Sequence, residues 1–152
     1  MRSRCVLPYL EIWLFVIVFA VLRLSYGFSN EFCAQNGGLV LCVEPMGIAP
    51  ASMLIPEETS SVSFGIFKLK IQNISEQPIP ISPEDFYCVT LSGRAVVIDA
   101  ALYEKIKWPG KLENYQLLPQ EGIERFVFFP SSRDYIRAII HRTEPVVEVR
   151  LF

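Results

Sequence analysis

The chain has 152 residues, of which 51% are hydrophobic, and its 14 basic and 16 acidic residues give a net charge of −2. This length and apolar content predict one folded domain and exclude a disordered chain. The slightly acidic balance, without a run of Lys or Arg, excludes the electrostatic footprint of a protein that binds nucleic acid or an anionic membrane surface.

The first 27 residues predict an export signal. Two arginines precede an unbroken apolar run from Ile12 to Leu22, and the small residues Ser25 and Gly27 then suit a cleavage site. As a helix the run spans about 16 Å, which is half of a bilayer core. We therefore expect cleavage after Gly27. The alternatives are an uncleaved membrane anchor over residues 6–24 and a buried core helix.

A disulfide-bonded β-hairpin is predicted next. Gly37-Gly38 tolerates the positive φ of a two-residue hairpin loop, and such a loop places Cys33 opposite Cys42. The Cα atoms of such a pair lie about 4.5 Å apart, near the lower end of disulfide geometry. A disulfide here would indicate an oxidising compartment. Two unpaired thiols, or a bridge from either cysteine to Cys88, are the alternatives.

The middle of the chain predicts a connector and then a long strand. Glu44–Glu58 contains three prolines and a glycine, which is typical of a connector laid over the surface. Val62–Asn73 alternates apolar and polar residues, as a half-buried strand does. Its apolar face changes side around Gly65–Phe67, which predicts a β-bulge in this strand.

Shorter elements follow. Pro78–Ile81 alternates proline with isoleucine and predicts an edge strand or a kink, because proline cannot donate to a central ladder. Phe86–Leu91 and Ala95–Ile98 predict a hairpin. Asp99 is a suitable cap for a short helix over Ala100–Lys107.

The last third predicts strands alone. They lie at Ile123–Phe129, Tyr135–His141 and Val147–Leu151. The chain is therefore expected to be all-β, a β-sandwich of about seven to nine strands with one short helix, preceded by the N-terminal signal helix. The expected organisation is a signal or anchor (1–27), a hairpin and connector (28–61) and a sandwich (62–152) that packs with 28–61 as one domain.

Three segments resemble a group of secreted and lipid-anchored bacterial domains of unknown function with an immunoglobulin-like β-sandwich. Phe67–Ser75 is similar to that group's strand ending in Asn-x-Ser, and Ile79–Phe86 with Gly93 is similar to its next strand pair. Leu117–Gly122, followed by Phe126–Pro130, is similar to its section of leucine, proline, acidic residue and apolar strand. The resemblance implies an immunoglobulin-like fold and an extracytoplasmic location. It implies no active-site residue.

The sequence offers little catalytic chemistry. His141 is the single histidine, and no nucleophile elbow, phosphate-binding loop or metal-ligand spacing occurs. We therefore expect a protein that is not an enzyme and that needs no cofactor or metal. A thiol-based enzyme or carrier that uses Cys88 with His141 is the remaining catalytic alternative. Otherwise His141 is expected to be a surface histidine beside Arg137. Asn73-Ile74-Ser75 fits an N-glycosylation sequon, with a plain turn as the alternative.

Aromatic residues in or beside loops provide the candidate binding residues. Tyr103, Trp108, Tyr115 and Tyr135 are interspersed with Lys and Arg, a composition typical of protein-binding surfaces. The alternative is that these rings close the ends of the sandwich. The leading hypothesis is an exported module, periplasmic or secreted, that binds an unknown protein or cell-envelope component. A membrane-anchored structural accessory domain is the second hypothesis; it has a membrane partner only if the first segment stays uncleaved.

Overall fold

The computed structural model describes residues 30–131 and 134–152. The predicted signal, its cleavage site and the alternative anchor over residues 6–24 lie outside the described residues. The described part contains ten strands: β1 Phe32–Asn36, β2 Leu39–Pro50, β3 Ser63–Asn73, β4 Ile79–Ile81, β5 Phe86–Thr90, β6 Ala95–Val97, β7 Tyr115–Leu117, β8 Gly122–Pro130, β9 Ile136–His141 and β10 Val147–Arg150. It also contains the helices α1 Ala51–Leu54 and α2 Ala100–Lys105, and a 3-10 turn at Pro83–Asp85.

The strands form three antiparallel sheets. Two have four strands each, in the orders β1-β2-β3-β8 and β10-β9-β5-β6, and the third pairs β4 with β7. The all-β prediction is therefore confirmed at the level of class. The described residues hold more strands and helices than expected, because β4 and β7 are three-residue pieces and α1 is a single turn. No helix in 30–131 or 134–152 is long and apolar enough to cross a membrane.

The β1–β2 hairpin has the predicted register. Cys33 pairs with Cys42 across the strands, and Asn36 pairs with Leu39 beside the Gly37-Gly38 loop. The two cysteines are joined in a disulfide, with their Cα atoms 4.0 Å apart. The predicted disulfide is confirmed, since the two-residue loop fixes which residues of the hairpin face each other. A bond of this kind is typical of oxidising compartments outside the cytoplasm.

Two predictions for the middle of the chain are wrong. The segment Glu44–Pro50 is not a connector but the second half of β2, and α1 follows it directly. The bulge lies in β2 between Pro45 and Gly47, whereas β3 pairs with β8 without a register shift. The prolines are compatible with a strand because β1 pairs with β2 only as far as Val43, which leaves an edge where no donor is needed.

The start of β3 is buried on both faces, which explains why its apolar pattern imitates a bulge. Phe67 lies on the face of β3 that is directed at the second sheet. The centroid of its ring is 6.0 Å from that of Phe129. Ile66 lies on the opposite face, opposite Phe128, whose ring meets Tyr103 of α2 at 6.1 Å. A layer that contains α1 and α2 therefore covers this end of the first sheet. The backbone links the two helical segments, because the N–H of Lys107 donates to the Leu54 carbonyl at 2.9 Å.

The remaining predicted elements are present with small changes of length. β4 pairs with β7 alone, as expected of a proline-rich edge segment. β5 and β6 form the predicted hairpin, and β9 lies on the other side of β5. The Asp99 carboxylate accepts a hydrogen bond from the Leu102 N–H at 3.1 Å, which confirms the predicted helix cap.

Candidate binding groove

An apolar groove of about 570 Å³ opens at one end of the two large sheets. It is bordered by the start of β1, the bulged half of β2, the start of β3, the loop before β9 and the carboxyl end of the chain. Most of its lining is apolar, and its polar members are Asn30, Ser131 and Asp134. A concave apolar surface with few polar groups is the usual form of a binding site in a protein of this size.

Two glycines line the groove. Gly47 follows the β2 bulge with a φ of +128°, a conformation that residues with a Cβ rarely adopt. Gly65 faces the core beside Phe67, and a Cβ at Gly65 would lie 3.1 Å from the Phe67 Cε2 atom. The missing side chain at Gly65 therefore leaves room beside Phe67, whereas Gly47 supplies the backbone conformation that follows the bulge.

The rim of the groove exposes three large apolar side chains. Ile48, Tyr135 and Phe152 line the groove and are 71%, 76% and 74% exposed. They come from β2, from the loop before β9 and from the carboxyl end, so distant parts of the sequence meet here. Several large apolar groups around one concavity are characteristic of a surface that binds another molecule.

Hydrogen bonds hold the Tyr135 loop against the second sheet. The Leu91 N–H donates to the Tyr135 carbonyl at 2.8 Å. Asp134 accepts a hydrogen bond from the Ser92 N–H at 3.2 Å and another from the Ser92 hydroxyl. These bonds hold the pKa of Asp134 below its usual range, because they favour the charged carboxylate. The loop that presents Tyr135 is thus anchored to the turn between β5 and β6.

Only one of the four predicted binding residues lines this groove, namely Tyr135. Tyr103 is a correction: it lies in α2, within the predicted helix, but its side chain is buried and does not form part of an exposed surface. Its hydroxyl donates to the Leu112 carbonyl at 2.9 Å, and burial raises the pKa of the phenol. Tyr103 therefore belongs to the core layer over the first sheet and is removed from the candidate binding surface.

Trp108 and Tyr115 lie along β8, away from the groove, and both are partly exposed. Trp108 packs edge-to-face on Phe126 and Phe128, at 6.0 and 5.9 Å. Tyr115 donates its hydroxyl to Glu121, which raises the pKa of Tyr115, and the Arg125 guanidinium lies 5.9 Å from its ring. Both rings thus stabilise local structure. A binding role for them stays a prediction.

The candidate thiol pair is brought onto neighbouring strands but is not arranged for catalysis. Cys88 pairs with Ile139, and Phe86 pairs with His141. Cys88 is buried, and desolvation raises the pKa of its thiol to about 12, so the thiolate is scarce at neutral pH. His141 is also buried, with Nδ1 3.0 Å from the Pro145 carbonyl and Nε2 3.1 Å from the Thr143 hydroxyl. The expectation of a surface histidine is wrong.

The sequon asparagine serves as a structural junction. Asn73 is buried, and its Nδ2 donates to the carbonyls of Gln77 and Leu117 at 2.7 and 3.1 Å. Its Oδ1 accepts from the N–H of Ser75 at 2.9 Å and from the Ser75 hydroxyl at 2.7 Å. A glycan would replace one of the Nδ2 hydrogens, so the folded chain favours the turn over the glycosylation site.

Sequence reasoning missed the groove residues Ile48, Gly65 and Phe152. The one local signal is the Gly47-Ile48 step, which lies within the segment whose composition predicts a connector. Within the described ranges, no group of three or more His, Cys, Asp or Glu side chains could hold a metal ion. No protein-family model, curated protein or solved structure matches this chain. The arguments for a function therefore rest on the geometry of the groove.

Proposed function

We propose that the chain is an exported, non-catalytic immunoglobulin-like β-sandwich that binds a protein or cell-envelope component in the apolar groove. The groove is the observation that carries this proposal. Its rim of Ile48, Tyr135 and Phe152 places large apolar side chains in water, and covering them with a partner removes that surface from water. Tyr135 is also the kind of residue that dominates the energy of protein interfaces.

Export is supported by the Cys33–Cys42 disulfide and by the signal-like first 27 residues. The immunoglobulin-like topology is supported by the two four-stranded antiparallel sheets and their common core. The three segments that resemble the bacterial immunoglobulin-like group point in the same direction. A binding module is the common use of a sandwich that presents loops and apolar residues at one end.

The experiment is site-specific photocrosslinking in intact cells. A photoreactive residue replaces Tyr135 in one variant and Met53 in the control, because Met53 is 75% exposed but does not line the groove. We expect a discrete crosslinked species from position 135 that is absent from position 53 and is weakened by Ile48→Ser. No species at position 135, or the same species from both positions, would contradict the proposal.

The second candidate is a structural accessory domain that the first segment anchors in a membrane. The apolar run from Ile12 to Leu22 supports it, although the run is short for a bilayer. Sequencing the amino terminus of the protein recovered from cells separates the two candidates. A chain that begins at Phe28 cannot be anchored through that run, whereas a chain that keeps the first 27 residues supports the anchored form.

The third candidate, a thiol-based enzyme or carrier, has the least support. It requires a reactive Cys88, and burial disfavours the thiolate of that residue. Treating the native protein with iodoacetamide tests it directly. We expect Cys88 to react at least a hundredfold more slowly in the folded protein than in the unfolded protein. Comparable rates in the two states would revive the candidate.

A further inference from the structure

Strand β1 supplies one wall of the apolar groove. Phe32, the first residue of the strand, lines the groove together with Asn30, which precedes the strand. β1 is an edge strand that pairs with β2 alone, and none of its five side chains is fully buried. A strand with so little buried surface opens locally at a low cost in free energy. The position of Phe32 in the groove therefore depends on the contacts that fasten β1 to the rest of the sheet.

The end of β1 that is remote from the groove is fastened by the turn and its neighbours. The Gly37-Gly38 loop joins β1 to β2 there. The Ile74 N–H donates to the Gly38 carbonyl at 2.7 Å, and the Asn36 side chain donates to the Val146 carbonyl at 2.8 Å. None of these contacts involves the disulfide, so we expect this end of the hairpin to stay closed when the disulfide is broken.

The groove end of β1 is fastened by the disulfide. Phe32 and Val43 form the last pair of the β1–β2 ladder, and the bonded residues Cys33 and Cys42 form the pair beside it. The ends of a hairpin ladder are the places where its strands separate first. The covalent bond lies one residue from Phe32 and thus prevents this separation where the strand borders the groove.

The disulfide is accessible from solvent. Cys33 is exposed and Cys42 is half-buried, because the Cys33 side chain lies on the face of β1 opposite to Phe32 and Ala34, which pack against the core. The Lys70 ammonium also bonds a carboxylate near this end, that of Glu31, at 2.7 Å, but both side chains are partly exposed. An ion pair in such a position holds weakly, so it cannot replace the covalent bond.

From these observations we infer that the Cys33–Cys42 disulfide is a redox switch for the groove. A thiolate of a dithiol reductant attacks the Cys33 Sγ atom, the S–S bond breaks, and its electron pair leaves on the Cys42 Sγ atom, which then takes up a proton. The second thiol of the reductant displaces Cys33 from the mixed disulfide. Two cysteine thiols and a disulfide of the reductant result.

Reduction then changes the groove through β1. The strand opens from its groove end, Phe32 leaves the groove, and the bound partner loses one of the apolar surfaces that it contacts. The partner is released as a result. The inference rests on the proposed function only in naming what is released, since the opening of β1 and the loss of the Phe32 wall occur without a partner.

Amide hydrogen exchange tests whether β1 opens. Protein purified with its disulfide intact is compared before and after treatment with dithiothreitol. We expect the amides of Phe32 and Ala34 to exchange about tenfold faster after reduction, whereas the amide of Ile139 in β9, the control, keeps its rate. Unchanged rates in β1, or an equal acceleration at Ile139, would overturn the inference.

Binding of the apolar dye Nile red tests whether this opening alters the groove. Reduction should raise the dissociation constant of the dye several-fold, and Cys33→Ser with Cys42→Ser should bind it weakly with or without reductant. Phe32→Ser should weaken binding to the oxidised protein and abolish the further response to reduction. Ala34→Ser is the matched control, because Ala34 packs on the same face without lining the groove, and it should keep the response. Equal responses of Phe32→Ser and Ala34→Ser would overturn the inference.

Photocrosslinking at position 135 separates this inference from the proposed function. At equal protein levels, the crosslinked species should be several-fold weaker when Cys33 and Cys42 are both replaced by serine. An undiminished species would overturn the switch and leave the proposed function in place. If reduction releases the dye but position 135 gives no crosslink even in the oxidised protein, the switch stands and the proposed function fails.

Discussion

The two ends of β3 differ in how their side chains are covered. At its carboxyl end, Asn73 is buried and its side-chain amide is fully used in hydrogen bonds to the Ser75 turn, to Gln77 and to Leu117. At its amino end, Gly65 and Phe67 border an apolar groove that opens to solvent. One end is closed by polar contacts and the other leaves apolar surface uncovered.

The difference indicates which end carries stability and which is suited to binding. A buried polar junction loses much when one member is removed, because the other members remain buried without partners. An open apolar rim contributes little to folding, so its residues can serve a partner instead. The predictions below test this division, from the largest expected effect to the smallest.

The closed end should respond most strongly. Asn73→Ala removes four hydrogen bonds and leaves the Leu117 carbonyl without this donor, so we expect the free energy of unfolding to fall by about 4 kcal/mol. Denaturant unfolding measures it. Asn114→Ala, at an exposed position, is the control and should change stability by less than about 0.5 kcal/mol. Equal effects of the two changes would remove the proposed role of the junction.

The disulfide should come next, because it holds the strand that borders the open end. Replacing Cys33 and Cys42 by serine should lower the free energy of unfolding by about 2–3 kcal/mol, since a small closed loop restricts the unfolded chain. Dithiothreitol should destabilise the unmodified protein by a similar amount and leave the double variant unchanged. A double variant that still loses stability in reductant would disprove this account.

The groove lining at Gly65 should show a smaller effect. Gly65→Ala places a Cβ 3.1 Å from the Phe67 Cε2 atom, so we expect the free energy of unfolding to fall by about 1 kcal/mol. We also expect weaker binding of Nile red, an uncharged dye whose fluorescence increases in apolar sites. Gly122→Ala is matched to it, because a Cβ at Gly122 has no contact closer than 3.9 Å. That control should leave stability equal or slightly higher. No loss of stability from Gly65→Ala, or an equal loss from both variants, would show that the protein is not closely packed at Gly65.

The rim should have the smallest effect on folding. Tyr135→Ser should change the free energy of unfolding by less than about 0.5 kcal/mol, because the side chain is largely exposed. The same change should still reduce Nile red binding and the yield of crosslinks from a neighbouring groove position. Met53→Ser is the control for loss of an exposed apolar group. A large loss of stability in Tyr135→Ser would show that Tyr135 stabilises the fold and would contradict its assignment to the binding rim.

The sequence predicts best what depends on neighbours along the chain. The Gly37-Gly38 loop fixes the pairing of Cys33 with Cys42, and Asp99 precedes the helix that it caps. Local composition misleads where tertiary position decides. Pro45 and Pro50 favour a connector, yet both fit a strand because no described strand pairs with their outer side.

The groove itself could not be predicted from local patterns. It depends on the strand order β1-β2-β3-β8, which brings Ile48 and the carboxyl end together with Tyr135. Periodicity does not encode that order. Tyr103 shows the converse error, because its position beside a loop predicts an exposed ring, whereas the ring packs against Phe128. The layer that contains α1 and α2 covers one face of the first sheet. Which face it covers also depends on contacts between residues that are distant in the sequence.

Pro45 and Pro50 have a consequence for how this protein behaves when it is crowded. An uncovered strand beside exposed apolar groups is the arrangement from which chains nucleate amyloid-like stacks. Each proline removes an amide donor that a foreign strand would need, and the bulge between Pro45 and Gly47 twists the remaining edge. The chain can therefore keep an adhesive surface without copying itself into fibrils.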